Sequence, residues 1–221
     1  MASTRRTLLI AAVAGAIAAP AWAASPVALP GDMTQGSPKA KIEVIEYASV
    51  ACPHCAHFSE TALAGFKAKW IDTGKVRFTL KEMLTGSPTV AMAGFLVARC
   101  AGPARYFKVV EDIYRSQAQW VDGQIKPVLQ KVAADNGVDE ARFNACLQDQ
   151  AAVDAVNQRA MRASVQDGIN STPTLFINGR QIDPLPTTPA ELDAALAAAK
   201  PLAPVGPKPA AKTPAGKKGG R

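Results

Sequence analysis

Cys52-Pro53-His54-Cys55 decides how the rest of this sequence is read. The four residues follow a β-like stretch, Ile42-Glu43-Val44-Ile45-Glu46-Tyr47, and open a helix-like one from Ala56 to Trp70. Two thiols at this spacing in the first turn of a helix can close a small disulfide. Cys52 stands where unpaired backbone N–H groups and the positive end of the helix dipole favour a thiolate. A stabilised thiolate favours the reduced pair, so the oxidised pair becomes a ready electron acceptor. That chemistry suits a disulfide handed on to other thiols.

Outward from this point, Val76, Phe78 and Leu80 alternate with Arg77, Thr79 and Lys81, which predicts a second strand with one face more exposed than the other. Strand, helix and strand in this order form a βαβ unit with parallel strands. From Ser87 to Gly168 the pattern is helical throughout, with Ser87-Pro88 as a start signal and Gly102-Pro103 as a break. Further helices are expected over Gly123 to Asn136, after an Asp139 cap, and over Gln150 to Asp167. The chain then returns to β. Asn178-Gly179, between Thr174-Leu175-Phe176-Ile177 and Arg180-Gln181-Ile182, is a type I′ hairpin signal. Thr188-Pro189-Ala190-Glu191 is a capping box that starts a last helix.

The ends read differently. Arg5 and Arg6, the apolar run Leu8 to Ala19 and Ala21-Trp22-Ala23 form a cleavable export signal over residues 1–23. Thr4-Arg5-Arg6-Thr7 loosely matches a twin-arginine signal, so the general secretory and twin-arginine routes both stay open. Residues 24–40 read as an extended leader. Residues 201–221, rich in Pro, Ala, Lys and Gly, cannot bury enough apolar area to order themselves. The formal charge of +7 is concentrated in that tail and the signal, which leaves the remainder near neutral and gives no hint of a nucleic-acid partner. An even count of four cysteines, Cys52, Cys55, Cys100 and Cys146, all beyond an export signal, reads as disulfides in an oxidising compartment.

Three features together resemble the thioredoxin fold, and within it the DsbA-like periplasmic thiol oxidases. They are the Cys-Pro-His-Cys pair after a first strand, Ser171-Thr172-Pro173 before a strand and hairpin, and an all-helical stretch between two β-containing halves. The resemblance implies an α/β thioredoxin fold, a central mixed sheet flanked by helices. Residues 41–86 and 169–200 would form the thioredoxin-like part and residues 87–168 the helical insertion. It implies a catalytic set of Cys52, Pro53, His54, Cys55 and Glu46. Cys52 would be the exposed nucleophile, Cys55 its buried partner, and His54 a stabiliser of the thiolate. Glu46 would be a buried acid for proton traffic, with Lys75 or Lys81 as partner. Thr172 and a cis Pro173 would meet an extended substrate. The extra pair Cys100 and Cys146 resembles a second, structural disulfide in the insert. The partners implied are folding exported proteins with free thiols and a DsbB-like, quinone-linked membrane reoxidase. The resemblance points to a periplasmic monomer that needs no bound cofactor.

Other readings compete with these. Zinc at Cys52 and Cys55 would need a second ligand pair, and Cys100 and Cys146 are too scattered to supply one, so no metal is expected. Haem attachment would need histidine at Ala56. His57 reads as a surface or groove residue, and Trp120 as either groove lining or packing. Glu46 could equally be a surface acid on an edge strand. Thr172 stands where the best-known oxidases have valine, which looks more like the isomerase branch. The rival functions are therefore an isomerase or reductase on the same fold and a non-catalytic module that holds extended peptides.

Overall fold

The structure is a computed structural model that describes residues 26–120 and 125–202. The signal segment and nearly all of the basic tail lie outside the described residues. Five strands form one sheet: β1 Met33–Gly36, β2 Ile42–Ala48, β3 Val76–Glu82, β4 Thr174–Ile177 and β5 Arg180–Gln181, in the order β1-β3-β2-β4-β5. β2 and β3 run parallel, and the other three pairings are antiparallel. This is the mixed sheet the resemblance implies. Helices α1 Pro53–Glu60, α2 Pro88–Cys100, α3 Tyr106–Ser116, α4 Ile125–Asp135, α5 Glu140–Gln148, α6 Gln150–Val165 and α7 Pro189–Ala197 complete the fold. The helices α2 to α6 lie in one run between β3 and β4.

β2 has neighbours on both edges and cover on both faces, so its alternation sorts residues between two cores. Val44 and Ala48 join the main cluster with α1, α2 and α3. Ile45 and Tyr47 join the smaller one with Met83, Ala163, Ile169 and Phe176. Glu46, between Val44 and Ala48 in the pleat, is thereby turned toward the main core and is only 2% exposed. The reading of Glu46 as a surface acid on an edge strand falls with this placement.

Local chemistry explains most boundaries. Pro53 fills the first helical position of α1, where its missing N–H is no loss. Asp139 and Asp149 cap α5 and α6 by accepting from Arg142 N and Ala152 N. Thr188 and Glu191 make the expected capping box of α7. Asn178 and Gly179 both take positive φ, as a type I′ turn requires.

Three expectations need correcting, and a fourth is only partly covered by the described residues. The helix expected from Ala56 to Trp70 stops at Glu60, and a separate π-helical turn spans Lys67–Ile71. Gly65, at φ +73°, lies between them in a conformation that would strain an L side chain. The leader is not merely extended, because β1 within it pairs with β3. The face of β3 expected to be the more exposed is covered: Thr79 is fully buried and Lys81 is 5% exposed. Lys81 Nζ sits 3.2 Å from Asp32 and 3.5 Å from Asp167, so buried charges pin the leader and the end of α6 to the sheet. Lastly, the expected helix over Gly123 to Asn136 is described from Ile125 to Asp135, and its expected start lies outside the described residues.

A second buried ion cluster attaches the helical run. Glu82, at the end of β3, is 1% exposed. It accepts from Arg99 Nε on α2 at 2.6 Å, Tyr106 Oη on α3 at 2.9 Å and Arg159 Nε on α6 at 2.7 Å. Cys100 and Cys146 form a disulfide between α2 and α5. Among the described residues no helix is long and apolar enough to cross a membrane.

Glu82→Gln should cost about 3 kcal/mol, because it leaves two arginines without the charge that holds them in a buried setting. Urea melts of the reduced or oxidised protein read this loss, while the reactivity of Cys52 stays unchanged.

Candidate active site

The loop that ends β2 sets Cys52 at the N-cap of α1, with extended backbone (φ −95°, ψ 119°). Its carbonyl accepts the first helical bonds, from Cys55 N at 3.1 Å and Ala56 N at 3.2 Å. Gly86 and Gly94 let neighbouring chain press on this loop. A Cβ at Gly94 of α2 would sit 2.6 Å from Val50 Cγ2, and one at Gly86 would sit 2.4 Å from the Ala51 carbonyl oxygen. Gln117, just past α3, donates its amide to Val50 O at 2.8 Å and to Cys52 O at 3.4 Å. The helical run therefore grips the backbone of the cysteine loop directly.

On the other side stands the loop before β4. The Thr172–Pro173 bond is cis. Cys52 Sγ donates to Thr172 O at 3.5 Å, and the hydroxyls of Thr172 and Thr85 are 2.6 Å apart. Thr174 Oγ1 donates to Ser171 O, and Ser49 Oγ donates to Thr85 O, so the three loops around Cys52 are tied to one another. Cys52 and Cys55 are free thiols. Cys52, expected to be exposed, is only 6% exposed, because the Thr172 loop lies against its sulfur, and Cys55 is sealed under the helix. Pro53, His54 and His57 face solvent.

The two thiols are held in opposite protonation states. Cys52 is drawn down from 9.0 to about 5. The main cause is a hydrogen bond from the Cys55 thiol, followed by the Thr172 side chain and the backbone N–H groups of Cys55 and His54, which together outweigh partial burial. Cys55 is pushed up, first by burial and then by its bond to Cys52 and the nearby Glu46 charge. Glu46 rises from 4.5 to about 8, chiefly through burial and secondly through the negative charge on Cys52. His54 thus helps Cys52 through its backbone amide, whereas the resemblance assigned that help to the side chain.

Neither expected lysine pairs with Glu46. Lys75 Nζ lies over the Trp70 ring at 5.5 Å from its centroid, and Lys81 belongs to Asp32 and Asp167. Glu46 Oε1 has no hydrogen-bond partner among the described residues. Trp120 packs against the core and donates Nε1 to Ser116 Oγ. Among the described residues no three His, Cys, Asp or Glu side chains are grouped as a metal site. Gln117, Thr85 and Tyr114 surround the pair without having been singled out from sequence. Only Tyr114 carried a usable signal, one turn beyond Val110 on the apolar stripe of α3.

Comparison with known proteins fits this geometry. A family model described as Thioredoxin matches residues 28–198. A Rickettsia bellii protein, named as a protein-disulfide oxidoreductase, is 29% identical over 154 residues, which cover 69% of this chain and 59% of that protein. This chain therefore spans less than two thirds of that relative. The thiol:disulfide interchange protein DsbA of Bordetella parapertussis is 29% identical over 181 residues, covering 74% of this chain and 82% of that one. Among solved structures, Wolbachia pipientis alpha-DsbA1 superposes with a TM-score of 0.70 at 25% identity, covering 77% of this chain and 92% of that chain. Oxidised BdbD of Bacillus subtilis superposes at 0.69 with 17% identity, covering 79% and 95%, a likeness of fold alone.

In the reduced protein, iodoacetamide should modify Cys52 alone near pH 6, and the rate should follow a single titration centred near pH 5, where Cys52 ionises. Mass mapping that finds Cys55 modified first would reverse the assignment of the two thiols.

Proposed function

This chain belongs to the thioredoxin family, and from that premise we propose that it is an exported, DsbA-like oxidase that gives its Cys52–Cys55 disulfide to folding proteins. The observation that carries the reading is the asymmetry of the pair: one thiol held as thiolate beside an open loop, the other sealed and held protonated. A substrate thiolate attacks Cys52 Sγ, the Cys52–Cys55 bond breaks, and Cys55 leaves with the electron pair and takes up a proton. A second substrate thiolate then attacks the substrate sulfur of the mixed disulfide, and Cys52 leaves as the stabilised thiolate. The substrate is oxidised by two electrons and the enzyme is left dithiol.

The surrounding residues fit that sequence of steps. Glu46, protonated over much of the neutral range, is the proton donor to departing Cys55. The backbone at Thr172 and Pro173 offers an extended substrate a strand-like edge. Cys100–Cys146 stands apart from the reaction as a staple of the helical run. Reoxidation falls to a DsbB-like, quinone-linked membrane partner, with the enzyme acting as a periplasmic monomer. The threonine before the cis-proline favours an isomerase or reductase as the second reading, and the direction of the stability difference between redox forms separates the two.

A lowered thiol pKa stabilises the folded reduced form. That contribution grows as pH rises from about 5 toward the ordinary thiol value of 9.0 and vanishes as pH falls through about 5. The burial cost of Glu46 works the other way, but it is present in both redox forms and largely cancels between them. The net advantage of the reduced form should be about 1–2 kcal/mol at pH 7. Paired denaturant melts at pH 7 and pH 4.5 test this. An oxidised form that is the more stable at pH 7 would move the protein to the reductase side.

A further inference from the structure

Thr85, in the loop between β3 and α2, takes no part in the steps above. Its hydroxyl is 2.6 Å from that of Thr172, and either oxygen can be the donor. The loop that carries Thr85 is fixed to the cysteine loop. Thr85 O accepts from Ser49 Oγ at 2.8 Å, and Ser49 is fully buried. Gly86, the next residue, has φ +76° and lies so close to the Ala51 carbonyl that a Cβ would collide with it. Thr85 therefore keeps a set position relative to the cysteine loop, and its hydroxyl is held against the loop that carries Thr172.

Each hydroxyl carries one proton and two lone pairs, so the pair has two protons to place. One closes the bond between the oxygens, and the other is left to point elsewhere. If Thr85 donates, the free proton is that of Thr172, the residue that meets Cys52. If Thr172 donates, its oxygen offers the sulfur only lone pairs. The two arrangements differ by a rotation of two hydroxyls and present Cys52 with opposite polarity.

Thr172 faces Cys52 with two groups. Its carbonyl, 3.5 Å from Sγ, accepts from a neutral thiol. A thiolate has no proton to give and calls for a donor, which the hydroxyl supplies. The Thr172 side chain is one of the groups that draw Cys52 down, so its proton is turned to the sulfur in the ionised state. A hydrogen bond to a charged acceptor is roughly twice as strong as a neutral one, so a charged sulfur selects the arrangement in which Thr85 is the donor. A disulfide sulfur is a weak neutral acceptor and makes no such selection.

We propose that Thr85 is a positioning residue: by donating its hydroxyl to Thr172 Oγ1 it turns the Thr172 proton onto Cys52 Sγ whenever that sulfur is charged. The proton is shared and never transferred. The interaction strengthens as Cys52 leaves the mixed disulfide with the electron pair, because negative charge grows on the sulfur in that step. This rests on the oxidoreductase reading above, in which Cys52 is the leaving group.

The test follows the Cys52 thiolate by its ultraviolet absorbance in a pH titration of the reduced protein, beside the equilibrium of the cysteine pair with glutathione. Thr85→Val removes the hydroxyl and keeps the shape, Thr85→Ala removes it in a smaller side chain, and Thr85→Ser keeps it. Loss of the hydroxyl should raise the Cys52 midpoint by about half a pH unit and make the couple about threefold less oxidising, a fraction of what a charge-assisted bond contributes. Serine should restore both. In a Thr172→Val background, Thr85→Val should change neither quantity, because the donor it orients is gone. A midpoint left unchanged or lowered by both valine and alanine would overturn the proposal, the lowering by showing that Thr172 gives its proton to Thr85. The same upward shift with and without the Thr172 hydroxyl would also overturn it, by showing that Thr85 merely supports the loop. Failure of the unmodified protein to oxidise a dithiol peptide, with the titrations as expected, would instead defeat the oxidase reading and leave the hold of Thr85 on the Cys52 charge standing.

Discussion

The site depends on one placement: a cysteine occupies the cap of α1. A serine or aspartate there would satisfy the free N–H groups of the first turn and do no more. With Cys52 the same groups act on a sulfur whose charge state sets its reactivity. The placement has to be held from outside the helix, because the cap residue is extended and α1 is only eight residues long. Val50 and Cys52 are held through their carbonyls by Gln117, and the sulfur is met by the Thr172 loop. The thioredoxin-like sheet and the helical run therefore meet at the residue whose sulfur matters, the run on its backbone and the Thr172 loop on its sulfur.

Burial acts on both thiols in the same direction, and what differs is which competing effect it meets. At Cys52 partial burial opposes the thiolate but is outweighed by four hydrogen-bonding contributions. At Cys55 burial is itself the largest effect, and the bond to Cys52 adds to it, since a thiol that donates its hydrogen to a thiolate is harder to ionise. The hydrogen bond they share thus lowers one thiol and adds to the rise of the other. Glu46 completes the set as a carboxyl kept neutral by its surroundings. A lysine beside it would have held it ionised and removed its capacity to give a proton. The pairing of Lys81 with Asp32 and Asp167 keeps the buried cation of β3 on the opposite face of the sheet from Glu46.

Much of this was legible in the chain because local chemistry recorded it. The Cys-Pro-His-Cys run, the Thr172-Pro173 step, the Asn178-Gly179 turn and the Thr188 capping box each name their own geometry. β1 was not legible, because Met33-Thr34-Gln35-Gly36 has no apolar alternation and its partner strand lies more than forty positions away. The covered face of β3 was missed for a related reason: Thr79 and Lys81 look like solvent residues until the leader and α6 are folded over them. The break in the helix falls at Thr61, whose backbone leaves the helical region, and the irregular turn that follows includes Gly65 at positive φ, a conformation that glycine permits but does not announce. Thr85 and Gln117 reach the site only through tertiary packing, so no motif marked them, and Tyr114 was marked only by its place on the apolar stripe of α3.

The distance between the disulfide Cys100–Cys146 and the reacting pair has a physical sense. Closing that loop restricts the unfolded chain and stabilises by up to about 4 kcal/mol in the chain-entropy model. α2, which it anchors, carries Gly94 against Val50 and Arg99 against Glu82. Stiffness gained in the helical run is thus passed by close packing to the loop that aims Cys52. A rigid support lets hydrogen bonds to the thiolate persist without reorganisation, and such preorganised bonds stabilise charge best where little water can compete. The staple and the Gln117 amide thus serve one end: they keep the cap of α1 in the single geometry in which its sulfur prefers to be charged.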